Sequence, residues 1–391
     1  MKLELINSSN DYQSIYNILD GVSNNESAVQ NLLKFSQDCA RVCYTSKDFG
    51  ELGSESYREE FVQGLLKSGH HSVFEHINFT FNMMDLPKIL AMVLNNEKQY
   101  ATSEKSARYT KMKNMQPLQK EKFDKWMGLL TREIEVVYPN IKGDRETAIK
   151  KLAQENARYM TSVFTPTKMV YTTNWRQLNF IMEEFEKSQS VVPNVGSVFS
   201  EKLIPYMQSF LEQLKPLRVE GLNNQTDRKL SLFNKRNVEE HFGDSYSTFY
   251  TMSFAGLAQA HRHRTINYDI SKGTELGAPL GFFIPDIIKD KDKLVHEWVS
   301  DLDKIAETDF PQAQRVSVNE KGTIEDFRSK ALLRMCGHAQ YEIMQQTTKT
   351  AEKYTQYQTE HENSINPKCL QGIACNSKCN WRGKRALERK V

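Results

Sequence analysis

The six residues His76-Ile-Asn-Phe-Thr-Phe81 alternate polar with apolar side chains, and a period of two rich in aromatic and β-branched residues predicts a strand. The rhythm then changes. Leu86–Leu94, LPKILAMVL, reads as a helix start, with Asp85 as its N-cap and Pro87 just inside it. The same order returns further along. Ser247–Phe249 predicts a short strand, and Phe254–His261, FAGLAQAH, is rich in Ala and Leu and predicts a helix. A strand-then-helix unit thus occurs twice, roughly half a chain apart, a faint internal duplication whose period is far longer than that of any solenoid. Ala331–Met335 reads as a buried helix face.

Outward from these units, a chain of 391 residues fits two or three domains, and 39% hydrophobic residues supply enough apolar material for two cores. We expect a first repeat over 1–215, a polar linker over 216–229 (PLRVEGLNNQTDR and the following Lys), a second repeat over 230–357, and a polar basic tail over 358–391. A formal net charge of +3 is too small for nucleic-acid binding by bulk electrostatics. Met1–Ser9 lacks the basic and apolar blocks of a signal peptide, and no window is apolar enough to span a membrane. The cytoplasm is the expected compartment, and six cysteines not arranged as a disulfide framework agree with it.

Five clusters carry candidate chemistry. Gly69–His76 (GHHSVFEH) packs three histidines, Ser72 and Glu75 into a strand entrance. It is either a polar loop with a capping carboxylate or a surface that hydrogen-bonds a heteroaromatic cofactor, and its spacing matches no common zinc pattern. Glu104-Lys-Ser106-Ala-Arg108-Tyr109 is either a solvated charge run or a Ser–Arg pair converging on one phosphate. Arg262-His263-Arg264, preceded by Gln259 and His261, either caps a helix C-terminus or forms a donor array for a pyrophosphate. Arg334, on an apolar helical face, needs a carboxylate partner or an anionic ligand. Cys369, Cys375 and Cys379, with His361, are either a metal set or ordinary reduced thiols, and without a C-x-x-C knuckle no metal is assigned. No Gly-rich phosphate loop, GxSxG elbow or recognisable cysteine nucleophile is present.

Taken together, these pieces resemble the flavin-dependent thymidylate synthases. The first half carries CARVCYTS at 39–46, GHHSVFEHINFTF at 69–81, EKSARY at 104–109 and ENARYMTSVFTPTKMVYTTNWRQLNF at 155–180. EKSARY is similar to the end of that family's long RHR…SxR signature. The second half carries AQAHRHRTINYDIS at 258–271, GFFIP at 281–285 and ALLRMCGHAQYEI at 331–343, similar to the signature's start and to the family's C-terminal Arg segment. Each half lacks what the other keeps. Asn95-Asn96-Glu97 stands in place of the first RHR, and Glu184 about where the first C-terminal Arg belongs; Ser271-Lys272-Gly273 replaces the second SxR.

The resemblance implies an α+β fold in two tandem copies, each a mixed sheet flanked by helices. It implies reductive methylation of dUMP, with FAD as cofactor and NADPH and methylenetetrahydrofolate as co-substrates. In the expected roles, Arg262, His263 and Arg264 hold the flavin phosphates, while His70, Ser72, Glu75, Asn174, Arg176 and Asn179 surround the rest of the flavin. Glu104, Ser106, Arg108, Arg158 and Gln259 hold the nucleotide, and Arg334 steadies charge developing on the uracil ring. Because family sites draw on several subunits, the complementary losses imply one working composite site, one degenerate site, and a homodimer that imitates the family tetramer. A pyrimidine hydroxymethylase or other methylase, and a non-catalytic nucleotide-binding paralogue, are the alternatives.

Overall fold

The computed structural model describes residues 1–22, 25–108, 110, 114–141, 143–222, 228–236, 238–357, 364–375, 379–381 and 384–391. In chain order the elements are β1 (Lys2–Ser8), α1 (Tyr12–Leu19), α2 (Asn25–Arg41), α3 (Phe49–Gly53), α4 (Glu59–Ser68), β2 (Asn78–Pro87), α5 (Lys88–Leu94), β3 (Tyr100–Glu104), α6 (Pro117–Val137), α7 (Arg145–Ala157), β4 (Pro166–Asn174), α8 (Trp175–Lys187) and α9 (Ser197–Leu214). They continue with β5 (His241–Phe242), β6 (Ser245–Ser253), α10 (Phe254–Ala260), β7 (Asn267–Lys272), α11 (Asp286–Lys289), α12 (Asp292–Ala306), β8 (Arg315–Thr323), α13 (Ile324–Arg334), α14 (Tyr341–Tyr357) and α15 (Lys384–Leu387). The fold is α+β, with two four-stranded sheets ordered β1-β2-β4-β3 and β5-β6-β8-β7.

The matching strand orders put the internal duplication on a physical footing. β2, α5, β3, β4 and α8 recur in sequence and position as β6, α10, β7, β8 and α13. At three of these strand-to-helix corners a side chain receives the first free N–H of the helix: Asn174 from Gln177, Ser253 from Gly256, and Thr323 from Asp326. The fourth corner differs from the expected one. Strand β2 runs through to Pro87, which is itself the N-cap of α5, while Asp85 has φ of 52° and ends the regular strand. The strand begins at Asn78 because His71–His76 form a 3₁₀ turn, and the second strand extends well beyond Ser247–Phe249.

The chain forms two compact units that interleave along the sequence. One comprises Met1–Lys105, Thr167–Val192 and Ser200–Leu230; the other comprises Ser106–Pro166, Pro193–Phe199 and Ser231–Val391. Sequence repeats and spatial units are therefore different partitions. In the first unit, β1 and β2 pair antiparallel from Lys2↔Met84 to Ser8↔Phe79, and every residue of α5 is buried behind the sheet. The segment expected as a linker begins docked: Leu217, Val219 and Leu222 are buried, and 223–227 lie outside the described residues.

In the second unit, β6 and β8 pair antiparallel along nine residues from Ser245↔Thr323 to Ser253↔Arg315. The helices α6 and α7 join this unit through a core in which Trp126, Leu130, Ile134 and Tyr159 meet Phe283, Trp298, Leu302 and Ile305. Trp126 and Trp298 stack edge to face at 4.7 Å, and the Trp126 indole donates to Asp301 at 3.0 Å. The tail is also part of this unit: Ala386, Arg389 and Val391 are buried, so the basic run is not a freely solvated end.

Candidate active site

The second unit gathers side chains from both sequence repeats around Gln340. This glutamine lies in the loop between α13 and α14. Its side-chain oxygen accepts hydrogen bonds from Arg158 and Gln259, and its amide nitrogen donates to the Tyr159 hydroxyl. Arg158 is 4% exposed and also donates to the backbone oxygens of Glu155 and Ala255. Burial pulls the Arg158 guanidinium below its usual range, while the Tyr159 and Glu155 side chains act in the opposite sense. Tyr159 donates to Glu342 at 2.7 Å, and Glu342 takes both the Ser253 hydroxyl at 2.5 Å and the Ser253 N–H at 2.7 Å. Burial raises the Glu342 carboxyl above its ordinary value.

Arg108 enters the same arrangement. It donates to the carbonyl of His338 at 2.9 Å and faces Glu155 at 3.7 Å. Its positive charge is felt at Arg158. On the other flank, Arg334 Nε donates to His263 Nε2 at 2.7 Å. This requires the Nδ1–H tautomer of a neutral imidazole. Burial, then the cations Arg334 and Lys330, hold the His263 pKa down to about 2. Lys330 is itself buried against Glu320 at 2.5 Å, and the same carboxylate accepts from Tyr246 at 2.6 Å and Tyr250 at 2.5 Å. His263 is 8% exposed, whereas its neighbours Arg262 and Arg264 are exposed.

The expected nucleotide residues Arg108, Arg158 and Gln259, with Arg334 and the His263 corner, thus belong to one unit although they come from two repeats. Ser106 is also in this unit, half-buried at the start of the turn leading to Arg108. Glu104 is placed differently. It belongs to the first unit and forms a buried ion pair with Lys88 at 2.5 Å, so its carboxylate already has a countercharge. Tyr109 lies outside the described residues.

The other flavin-assigned residues fall in the first unit. Gly69, with φ of 75°, ends α4 and turns the chain into the 3₁₀ segment that carries Ser72 and Glu75, with His70 at its cap. Glu75 pairs with Arg176 at 2.6 Å on the surface. Asn174 caps α8. Asn179 is 0% exposed; it donates to Trp175 and Leu217 carbonyls and accepts from the N–H of Val219 at 2.9 Å. These bonds tie α8 to the 217–219 turn and occupy both of its amide hydrogens.

The first unit contains the counterpart of the His263 corner at the end of α5. There Glu97 is 0% exposed, and Arg228 donates to it at 3.1 Å while lying 3.9 Å from the Phe180 ring. A carboxylate with an internal countercation occupies the place where the second unit presents cations. Glu184, standing near the position equivalent to Arg334, is buried and pairs with Lys187 at 3.0 Å.

Gln340, Tyr159, Glu342 and Ser253 were given no role by sequence reasoning, although all lie in or beside quoted motifs. Among the described residues no group of three His, Cys, Asp or Glu side chains could hold a metal ion, and His361 lies outside them. No described helix is long and apolar enough to cross a membrane.

Gln259 Oε1 is a buried acceptor with no hydrogen-bond partner among the described residues, and its amide nitrogen shares the Gln340 oxygen with Arg158.

Residues 29–188 match the family model described as thymidylate synthase complementing protein. The chain is 27% identical over 164 residues to the flavin-dependent thymidylate synthase of Clostridium tetani, covering 37% of this chain and 66% of that protein. It is 26% identical over 148 residues to that of Nitratidesulfovibrio vulgaris, covering 34% and 59%. The matches thus span less than two thirds of these relatives' length. Similar solved structures include thymidylate synthase X from Helicobacter pylori with FAD and dUMP, at 14% identity and TM-score 0.32, covering 56% of this chain and 95% of that one. They also include the UMP/dUMP methylase PolB from Streptomyces cacaoi, at 18% identity and TM-score 0.28, covering 55% and 94%. With the family's motifs and its matched segment in place, residues 29–188 of the chain are similar to the flavin-dependent thymidylate synthases.

Proposed function

We propose that this protein methylates the uracil ring of dUMP at a single composite site in the unit 106–166/231–391. The supporting observation is that Arg108 and Arg158 from one repeat lie in the same unit as Gln259 and Arg334 from the other, with Arg158 and Gln259 meeting on Gln340 and Arg108 on the neighbouring His338 carbonyl. Arg108 and Arg158 bind the nucleotide's anionic group, and the orphan oxygen of Gln259 accepts an N–H of the base. Arg334, held by neutral His263, faces charge that develops on the ring and needs no reorganisation as the reaction proceeds. FAD would be held by Arg262 and Arg264 and would supply the hydride chemistry, with methylenetetrahydrofolate as one-carbon donor and NADPH as reductant. Two chains would assemble as a homodimer carrying one such site each, in the cytoplasm.

The test is isothermal titration of dUMP into wild type and Arg158→Ala. One nucleotide per chain is expected, with Arg158→Ala weakening binding by about 2–5 kcal/mol, the range for truncating a buried charged partner. Unchanged affinity in Arg158→Ala, or no binding by wild type, would sink the reading. Chromatographic analysis of the product from methylenetetrahydrofolate and NADPH then separates methylation from hydroxymethylation.

A further inference from the structure

Three consecutive backbone carbonyls in the loop that delivers Gln340 are each taken by a guanidinium. Gly337 O accepts from Arg389 at 2.6 Å and Ala339 O accepts from the other terminal nitrogen of the same residue, while His338 O between them accepts from Arg108. Arg389 is 3% exposed, and the rings of Tyr341 and Trp381 each lie 5.9 Å from it. The segment carrying it is fastened independently. Lys390 N–H donates to the Tyr138 hydroxyl at 2.8 Å, Lys390 Nζ pairs with Asp290 at 3.0 Å, and Trp381 packs edge-on to Tyr138 at 4.8 Å. The loop meets it closely: a Cβ on Gly337 would stand 2.6 Å from Cys379 Sγ and 3.0 Å from Trp381 Cβ.

Anchoring this end of the chain does not require a buried arginine, because Lys390 and Val391 already fasten it, and burying a cation is costly. The fork is spent instead on two carbonyls that flank the one Arg108 holds, immediately before Gln340. We infer that Arg389 is a positioning residue for the nucleotide site, fixing the 337–339 backbone so that Gln340 meets Arg158 and Gln259. This rests on the nucleotide reading of that site. The planar guanidinium is the group that can bridge two carbonyls at fixed spacing, and a lysine at this position carries the charge without the fork.

The experiment measures dUMP affinity for full-length wild type, Arg389→Ala, Arg389→Lys, Gln340→Ala and the Arg389→Ala/Gln340→Ala double variant. It also measures deuterium uptake of the 336–341 peptide in each. Arg389→Ala should weaken dUMP binding roughly 10- to 100-fold, the scale of a misplaced contact group, with Arg389→Lys in between. In the Gln340→Ala background the same substitution should add less than about 2-fold, because both act through one contact. Uptake at 336–341 should accelerate in Arg389→Ala while the β6 strand stays protected. Wild-type affinity in Arg389→Ala, or a full additional loss in the double variant, overturns the inference. A wild type that binds no dUMP defeats the functional reading instead. The uptake then decides alone, and an unchanged 336–341 exchange overturns the positioning role. Arg389→Lys carries the test should the alanine variant fail to fold.

Discussion

His263 shows how one buried imidazole can set both charge and shape. It accepts from Arg334 and is kept neutral by burial and by two nearby cations. The folded chain therefore leaves it unprotonated below the pH at which the unfolded chain protonates it, near 6.5. The unfolded state binds the extra proton there, so stability falls as pH is lowered from about 6.5 toward the folded value of about 2. This contribution approaches about 1.4 kcal/mol per pH unit. Asp269 works in the opposite direction: burial raises its carboxyl to about 6, which favours the fold as pH falls through that value. The difference between wild type and His263→Gln in urea unfolding at pH 7 and pH 5 isolates the histidine. Wild type should lose about 2 kcal/mol more than the variant over those two units, and parallel losses would rule it out. The buried Lys330–Glu320 pair gives a second expectation at this scale. Lys330→Met leaves the carboxylate with only two tyrosine donors, and urea denaturation should register about 3–5 kcal/mol of destabilisation.

The strand-to-helix corners are the elements on which the site is built, and they are not equivalent. Thr323 caps α13 in a reciprocal box with Asp326 on an exposed turn, so Thr323→Ala should cost about 1 kcal/mol. Ser253 caps α10 and also donates to buried Glu342. Ser253→Ala loses the cap and strands part of a buried carboxylate, and thermal melts should place it about 1–3 kcal/mol below Thr323→Ala. Equal melting shifts would mean that Glu342 draws little from the serine. The legibility of the sequence follows the same division. The helix at 254–260 and the strand after His76 were visible because their periodicities are local. Asp85 misled as a cap because β2 runs past it, with φ 52° at Asp85, to Pro87, which takes the N-cap position of α5. Gln340 could be quoted in a motif but not weighed, because its partners Arg158 and Gln259 lie 182 and 81 residues away and only packing brings them to it. Asn179 carried a polar side chain in a promising motif, yet its use in the 217–219 turn is a tertiary fact. Arg389 sat in a basic run that reads as solvated until its burial is seen.

At the scale of the molecule, two sheets of matching strand order carry different side chains at their corresponding corners. One unit presents Arg334 and neutral His263 at the end of its α10 corner; the other fills the corresponding position with Glu97 and closes it with Arg228. Glu97→Gln should therefore destabilise the fold without changing the nucleotide count per chain, which calorimetry reads directly. A second equivalent of dUMP binding in that variant would show that the first unit retains a latent site. The interleaving of the units carries a further consequence, for biogenesis. The chain passes from one unit to the other after Lys105, Pro166, Val192, Phe199 and Leu230. A ribosome thus finishes α6 and α7 long before it makes Phe283, Trp298 and Leu302, the side chains that cover their apolar face. Nascent chains must carry that uncovered surface from the completion of Ala157 until Leu302 is made, a natural target for chaperones. A cut after Leu230 would separate Ser106–Pro166 and Pro193–Phe199 from the remainder of their own unit.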